Sequence, residues 1–235
     1  MKYTFFSYLM SLLFLSPTNE IKTEAPKFIA SNIEISSIKK ADFIYNNLNS
    51  KNFNLPNLES FSKAIEGFYL LKQKGKIQKD IITLIDFSLS SASKRLWVID
   101  LSTNTVLFNS YVSHGMNSGG EYANSFSNAA SSYKSSLGFF ATGEVYQGKH
   151  GLSLKLDGLE KGINSNARAR DIVIHGAQYA NPSILNSQNF LGRSQGCPAL
   201  PEALSKKIIN TIKNKSCLFI YHPSRNYMMS SKLIS

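Results

Sequence analysis

Several things are scarce in this sequence, and each shortage excludes something. Only two cysteines occur in 235 residues, Cys197 and Cys217. Two cannot build a disulfide framework or a four-cysteine zinc site. The four histidines, His114, His150, His175 and His222, include no closely spaced pair of the HxH or HExxH kind, so a metal centre is not expected. Acidic residues are few: 15 against 26 basic ones leave a formal net charge of +11. Long apolar runs are scarcer still. The conspicuous one covers about residues 3–15, too short to span a bilayer comfortably as a helix. No internal repeat or low-complexity tract is present. What remains is 43% hydrophobic, which argues against wholesale disorder, and long enough for one catalytic-size domain with an appendage.

Met1 and Lys2 precede the apolar run, and Ser16, Pro17, Thr18 and Asn19 break it. A short positive region, an apolar region and a polar break read as a secretory signal or an N-terminal anchor over 1–20. No cysteine follows the run to carry a lipid. The expected location is therefore outside the cytoplasmic membrane, in the periplasm or cell envelope. Nucleic acid is not the expected partner there. The positive charge suits an anionic cell envelope instead.

Residues 21–78 read as a linker followed by a small helical region. Ile38 to Asn47 looks helical, and so does Leu58 to Lys74. In the second, Leu58, Phe61, Ala64, Ile65, Phe68 and Leu71 form one stripe, with Pro56 and Asn57 just before it as a start signal. From about residue 79 the texture becomes β-rich. Strands are expected at 81–87, 95–101, 105–112, 139–147, 152–156, 172–174 and 217–221, with Gly and Asn clustered between them. Many short strands at this spacing predict a mainly β domain, a sandwich or barrel, over 79–235. One helix interrupts it, Glu202 to Lys213, with Leu204, Ile208, Ile209 and Ile212 facing inward.

The two cysteines differ in setting. Cys217 lies in the apolar strand 217–221, where a thiol behaves as a small hydrophobe. Cys197 sits in Gly192-Arg193-Ser194-Gln195-Gly196-Cys197-Pro198. Gly196 permits a tight turn, Pro198 stiffens the exit, and Arg193 brings positive charge that favours thiolate. The amides of Gly196 and Cys197 can point together at an oxyanion. A cysteine nucleophile needs a base, usually histidine. His175 ends the run Asp171-Ile172-Val173-Ile174-His175 beside Gly176, 22 residues before Cys197, far enough for a loop to return and face it. His114 and His150 can line the same cleft or be structural; spacing does not choose.

The run Ile174-His175-Gly176, followed by Gly192-Arg193-Ser194-x-Gly196-Cys197-Pro198, resembles the signature of the L,D-transpeptidases. These are the YkuD-like cysteine enzymes of the bacterial cell wall. The similarity is greater to the murein branch whose motif reads arginine-serine-x-glycine-cysteine-proline. It continues through Val112-Ser113-His114-Gly115, Ser135-Ser136-Leu137-Gly138, Gly148-Lys149-His150-Gly151 and Asn166-Ala167-Arg168-Ala169-Arg170, and covers about 80–225. Gln195 stands where the widespread motif has histidine, a departure that fits the murein branch.

The resemblance implies an L,D-transpeptidase-like β-sandwich domain that acts on peptidoglycan stem peptides without a cofactor. It implies Cys197 as nucleophile, His175 as base, and Gly196 with Cys197 as oxyanion donors. Ser194 either hydrogen-bonds near the thiolate or shapes the turn. Gly176 can contact the stem peptide, and its carbonyl can orient His175. Arg193, Arg170 and Arg168 can bind stem carboxylates as forks, and Tyr179 can line the cleft. Cys197 thiolate would displace D-alanine from a tetrapeptide stem. An amine would then take the acyl group to form a 3-3 cross-link. Water in place of the amine gives an L,D-carboxypeptidase, and a silent fold gives a wall-binding module.

Overall fold

The computed structural model describes residues 39–234. The expected signal or anchor and most of the linker lie outside the described residues.

The first described helix, α1, covers 39–46. The next, α2, spans Leu58–Gln73. Its start is set by Asn57, whose side chain accepts from the Glu59 N–H at 2.8 Å, and Glu59 adds negative charge to the first turn. Of its predicted apolar stripe, Phe61, Ala64, Ile65, Phe68 and Leu71 are buried, whereas Leu58, in the first turn, is exposed. That stripe joins the core of the β domain. A side chain on Gly67 would sit 2.1 Å from the Phe139 ring, so glycine lets the helix lie directly on the sheet. The helical region placed before residue 79 thus shares the core of the residues that follow it.

Eight strands form one sheet. They are β1 Ile81–Asp86, β2 Leu96–Asp100, β3 Thr105–Ser110, β4 Gly138–Gly148, β5 Gly151–Gly158, β6 Val173–Gly176, β7 Ala199–Leu200 and β8 Cys217–Tyr221. Their order is β3-β2-β1-β8-β4-β5-β6-β7. β1 with β8 and β6 with β7 are parallel, and the other neighbouring pairs are antiparallel. The sheet nearly closes on itself: just after β3, Ser113 bridges Ala199 of β7, with its N–H donating to the Ala199 carbonyl at 2.9 Å. The mainly β expectation holds, and its strands belong to a single near-closed sheet.

β8 is buried throughout and lies between β1 and β4, which explains its unbroken apolar run Cys-Leu-Phe-Ile-Tyr. Cys217 is thereby a core residue, as expected. Helix α3, Glu202–Ile212, buries Ile208, Ile209 and Ile212 against this sheet, while Leu204 is only half-buried. The sequence reading omits β7 and a last short helix, α4 at Arg225–Ser230. Two residues of strand carry no period, and α4 is held by tertiary contacts: the buried Glu160 carboxylate accepts from Tyr227 of that helix at 3.2 Å and from the Phe139 N–H at 2.7 Å.

Candidate active site

The site forms where β6 meets the chain entering β7. His175 pairs with Ala199 in parallel register. Cys197 lies two residues before Ala199, at the end of the turn that leads into β7. Both side chains line one cavity of about 920 Å³.

The Cys197 turn is built by Ser194. Its hydroxyl donates to the Cys197 carbonyl at 2.6 Å and accepts from the Gly196 N–H at 3.0 Å. Ser194 is anchored in turn: its N–H donates to the His114 carbonyl at 2.9 Å, and its carbonyl accepts from the Met116 N–H at 2.8 Å. Ser194 therefore shapes the turn. The same bond corrects the oxyanion expectation for Gly196, whose N–H is already occupied. Gly196 needs to be glycine for another reason. Its φ is +118°, and a Cβ would stand 2.8 Å from the Lys134 carbonyl.

His175 is 3% exposed. Its Nδ1 lies 2.9 Å from the Gly176 carbonyl, so Nδ1 carries the proton and Nε2 is left as the basic nitrogen. Gly176 thus orients the base and is not among the residues lining the cavity, which corrects its placement as a substrate contact. A Cβ there would strike Ser205 of α3. The ring of His150, at the tip of the β4–β5 hairpin, stacks on His175 with centroids 4.4 Å apart and planes 21° from parallel. The edge of Tyr179 approaches at 6.5 Å between centroids.

Burial pushes the His175 pKa down, against the opposing pull of the Gly176 carbonyl. Burial pushes the Cys197 thiol up; the Val173 backbone and Arg170 act the other way. The thiol lies 3.6 Å from the Asp171 carbonyl. Both shifts favour a neutral thiol and a neutral imidazole in the resting site, where the sequence has Arg193 favouring thiolate.

His114 does not reach the cavity. It is 1% exposed, with Nδ1 accepting from the Arg95 guanidinium at 2.8 Å and Nε2 facing the Gly119 carbonyl at 3.4 Å. Burial and the adjacent Arg95 push its pKa down to about 4. It is a structural histidine whose backbone carries Ser194. The three arginines also separate. Arg168 is committed to Asp157 and Glu144. Arg170 lines the cavity but spends all four terminal N–H groups on protein acceptors, so it offers no fork. Arg193 is exposed on the rim and spends one donor, on the Gly119 carbonyl at 3.2 Å. Lys149, Tyr133 and Tyr146 also line the cavity; the sequence reading did not select them, because they are brought in by hairpin and loop geometry.

A family model described as the L,D-transpeptidase catalytic domain matches residues 54–221. A search of the curated proteins finds no match. Among solved structures, an L,D-transpeptidase from Mycobacterium smegmatis matches at 11% identity and a TM-score of 0.38, over 61% of this chain and 59% of that one. L,D-transpeptidase 3 from Mycobacterium tuberculosis gives 9% and 0.39, over 61% of each chain. The helical cell shape determining protein Pgp2 from Campylobacter jejuni gives 13% and 0.41, over 72% of this chain and 61% of that one. The present chain thus spans about three-fifths of the length of these structures. The family match reaches from just before α2 to the end of β8 and takes in both Cys197 and His175: this chain belongs to the family of L,D-transpeptidase catalytic domains.

Proposed function

We propose that the protein is a cysteine-dependent peptidoglycan L,D-transpeptidase, exported to the periplasm or cell envelope. The observation that carries the reading is the shared cavity of Cys197 and His175, with His175 Nδ1 held by its neighbour's carbonyl and Nε2 left basic.

The chemistry follows from these two groups. A tetrapeptide stem enters with its penultimate carbonyl at Cys197. As Sγ attacks the carbonyl carbon, the thiol proton passes to His175 Nε2. The neutral resting pair makes this a transfer during attack. Among the described residues the Cys197 N–H has no backbone partner, which leaves it as the remaining turn donor for the oxyanion; one such donor contributes about 3–4 kcal/mol to barrier lowering. The C–N bond to D-alanine then breaks, and His175 returns the proton to the departing amine. A thioester remains on Sγ. An acceptor amine attacks it, giving a 3-3 cross-link and restoring the thiol. Water in that role gives the carboxypeptidase outcome at the same site.

Arg193 and Lys149 carry free donors on the cavity rim and suit carboxylates of the stem. Exposed faces of Tyr133, Tyr146 and Met116 offer apolar contact beside them. The net charge of +11 favours residence at an anionic envelope.

Mass spectrometry after incubation with a tetrapeptide-stem muropeptide tests the proposal. Free D-alanine with a cross-linked dimer is the expected result. D-alanine with only shortened monomer makes the enzyme a carboxypeptidase. No D-alanine release contradicts both.

A further inference from the structure

Arg170 is a half-buried cation whose hydrogen-bond partners are all uncharged. Nη1 donates to the Ser127 carbonyl at 2.8 Å and to Ser136 Oγ at 2.6 Å. Nη2 donates to Ser132 Oγ at 3.1 Å and to the Lys134 carbonyl at 2.7 Å. Burying a guanidinium without a carboxylate is costly, so the position calls for a reason. The four bonds gather a segment, 127–136, that has no helix or strand of its own.

That segment is the floor of the nucleophile turn. The Lys134 carbonyl, which Arg170 holds, packs against the Gly196 Cα so closely that only glycine fits. The next residue, Ser135, donates from its hydroxyl to the Gly196 carbonyl at 3.2 Å and accepts from the Gly115 N–H at 3.0 Å. The chain from guanidinium to thiol therefore runs Arg170, Lys134 and Ser135, Gly196, Cys197. The guanidinium also lines the same cavity as Cys197. Its nearest neighbour in sequence, Asp171, turns at φ +54° and presents its carbonyl to the thiol.

We propose that Arg170 is a positioning residue for Cys197: it clamps the floor of the nucleophile turn and places its positive charge in the cavity where the sulfur becomes thiolate. The proposal rests on the reading of Cys197 as nucleophile and goes beyond it. It also removes Arg170 from the groups that grip the substrate, because no terminal N–H is left to do so. Among the described residues the guanidinium pairs with no carboxylate, so no ion pair offsets its charge when the thiol becomes thiolate. Other ionisable side chains around the thiol are Lys149, His150, Asp171, His175 and Arg193. The phenols of Tyr133, Tyr146 and Tyr179 complete the set.

The test is the pH dependence of Cys197 alkylation by iodoacetamide, an uncharged probe, in the full chain, with Cys197→Ala as blank. Arg170→Met removes clamp and charge. Arg170→Lys keeps the charge and loses the four-way clamp. The half-point of alkylation should move up by about one pH unit or more in Arg170→Met and by less in Arg170→Lys. Turnover should fall in both through kcat, by about 10-fold or more in Arg170→Met, with KM little changed. An Arg170→Met profile that overlays the wild type overturns the proposal. So does a rise in KM at unchanged kcat, which would restore Arg170 as a substrate contact. If Arg170→Met does not fold, the same criteria apply to Arg170→Gln; failure of all three variants to fold makes the role purely structural and also overturns it. Alkylation reads Cys197 whether or not it is the nucleophile. Full turnover by Cys197→Ala would defeat the underlying reading separately.

Discussion

The imidazole of His150 lies flat against that of His175, with 4.4 Å between ring centroids. His150 comes from the tip of the β4–β5 hairpin and His175 from β6, the strand next to β5 in the sheet, so the contact is made by tertiary structure. One face of the His175 ring, the proposed base, is thereby shielded and its plane restrained.

Removing that shield should slow the enzyme without unfolding it. His150 is exposed and holds no core contact, so His150→Ala should leave thermal stability nearly unchanged. Stacking of this kind contributes about 0.5–1.5 kcal/mol, so turnover should fall by about 2-fold to 10-fold. His150→Phe keeps a flat ring and should recover most of the loss. Steady-state D-alanine release checks both variants.

The activity profile should be broad. His175 must be neutral to accept a proton, and burial lowers its pKa, so the acid limb lies below the ordinary histidine value of about 6.5. Cys197 must carry its proton in the resting pair, and burial raises the thiol, so the alkaline limb lies above the ordinary value of about 8.5. A plot of kcat/KM against pH is the measurement; a narrow bell inside those limits would contradict the neutral resting pair.

Acid should destabilise the fold through His114. Its folded pKa is about 4, below the unfolded value of about 6.5, so the unfolded chain binds the extra proton. The stabilisation is complete above pH about 6.5 and is lost as pH falls toward about 4, in all by about 3 kcal/mol. His114→Asn keeps an acceptor for Arg95 and cannot titrate. Melting curves from pH 7 to pH 4 should therefore fall less steeply for this variant than for wild type.

The nucleophile turn should loosen when Ser194 is shortened. Ser194→Ala deletes the bonds to the Cys197 carbonyl and the Gly196 N–H. Each contributes about 0.5–1.5 kcal/mol net, so kcat should fall by about 10-fold or more while KM changes little. Pre-steady-state acylation rates check it.

Much of the β domain was open to a reader of the sequence, because strands such as Ile81–Asp86 and Cys217–Tyr221 carry their burial as composition. Cys197 and His175 stood out for similar local reasons: a glycine turn on one side, a strand end on the other. The rest depended on partners far away in the chain. Nothing near His114 says that Arg95, 19 residues earlier, will bury it. Nothing near Arg170 says that its guanidinium will be consumed by residues 34–43 positions away. Arginine in a motif reads as a substrate fork until its donors are counted. Gly196 likewise reads as an oxyanion donor until Ser194 is seen to take its N–H.

The central claim is that Cys197 Sγ carries the acyl group. Quench the full chain in acid within the first turnovers on a tetrapeptide-stem muropeptide, and map the modified peptide by mass spectrometry. A stem-peptide thioester on Cys197, with D-alanine lost, is expected, and it should be absent from Cys197→Ala together with all turnover. D-alanine release by Cys197→Ala at the wild-type rate, or an acyl group on any other residue, would contradict it.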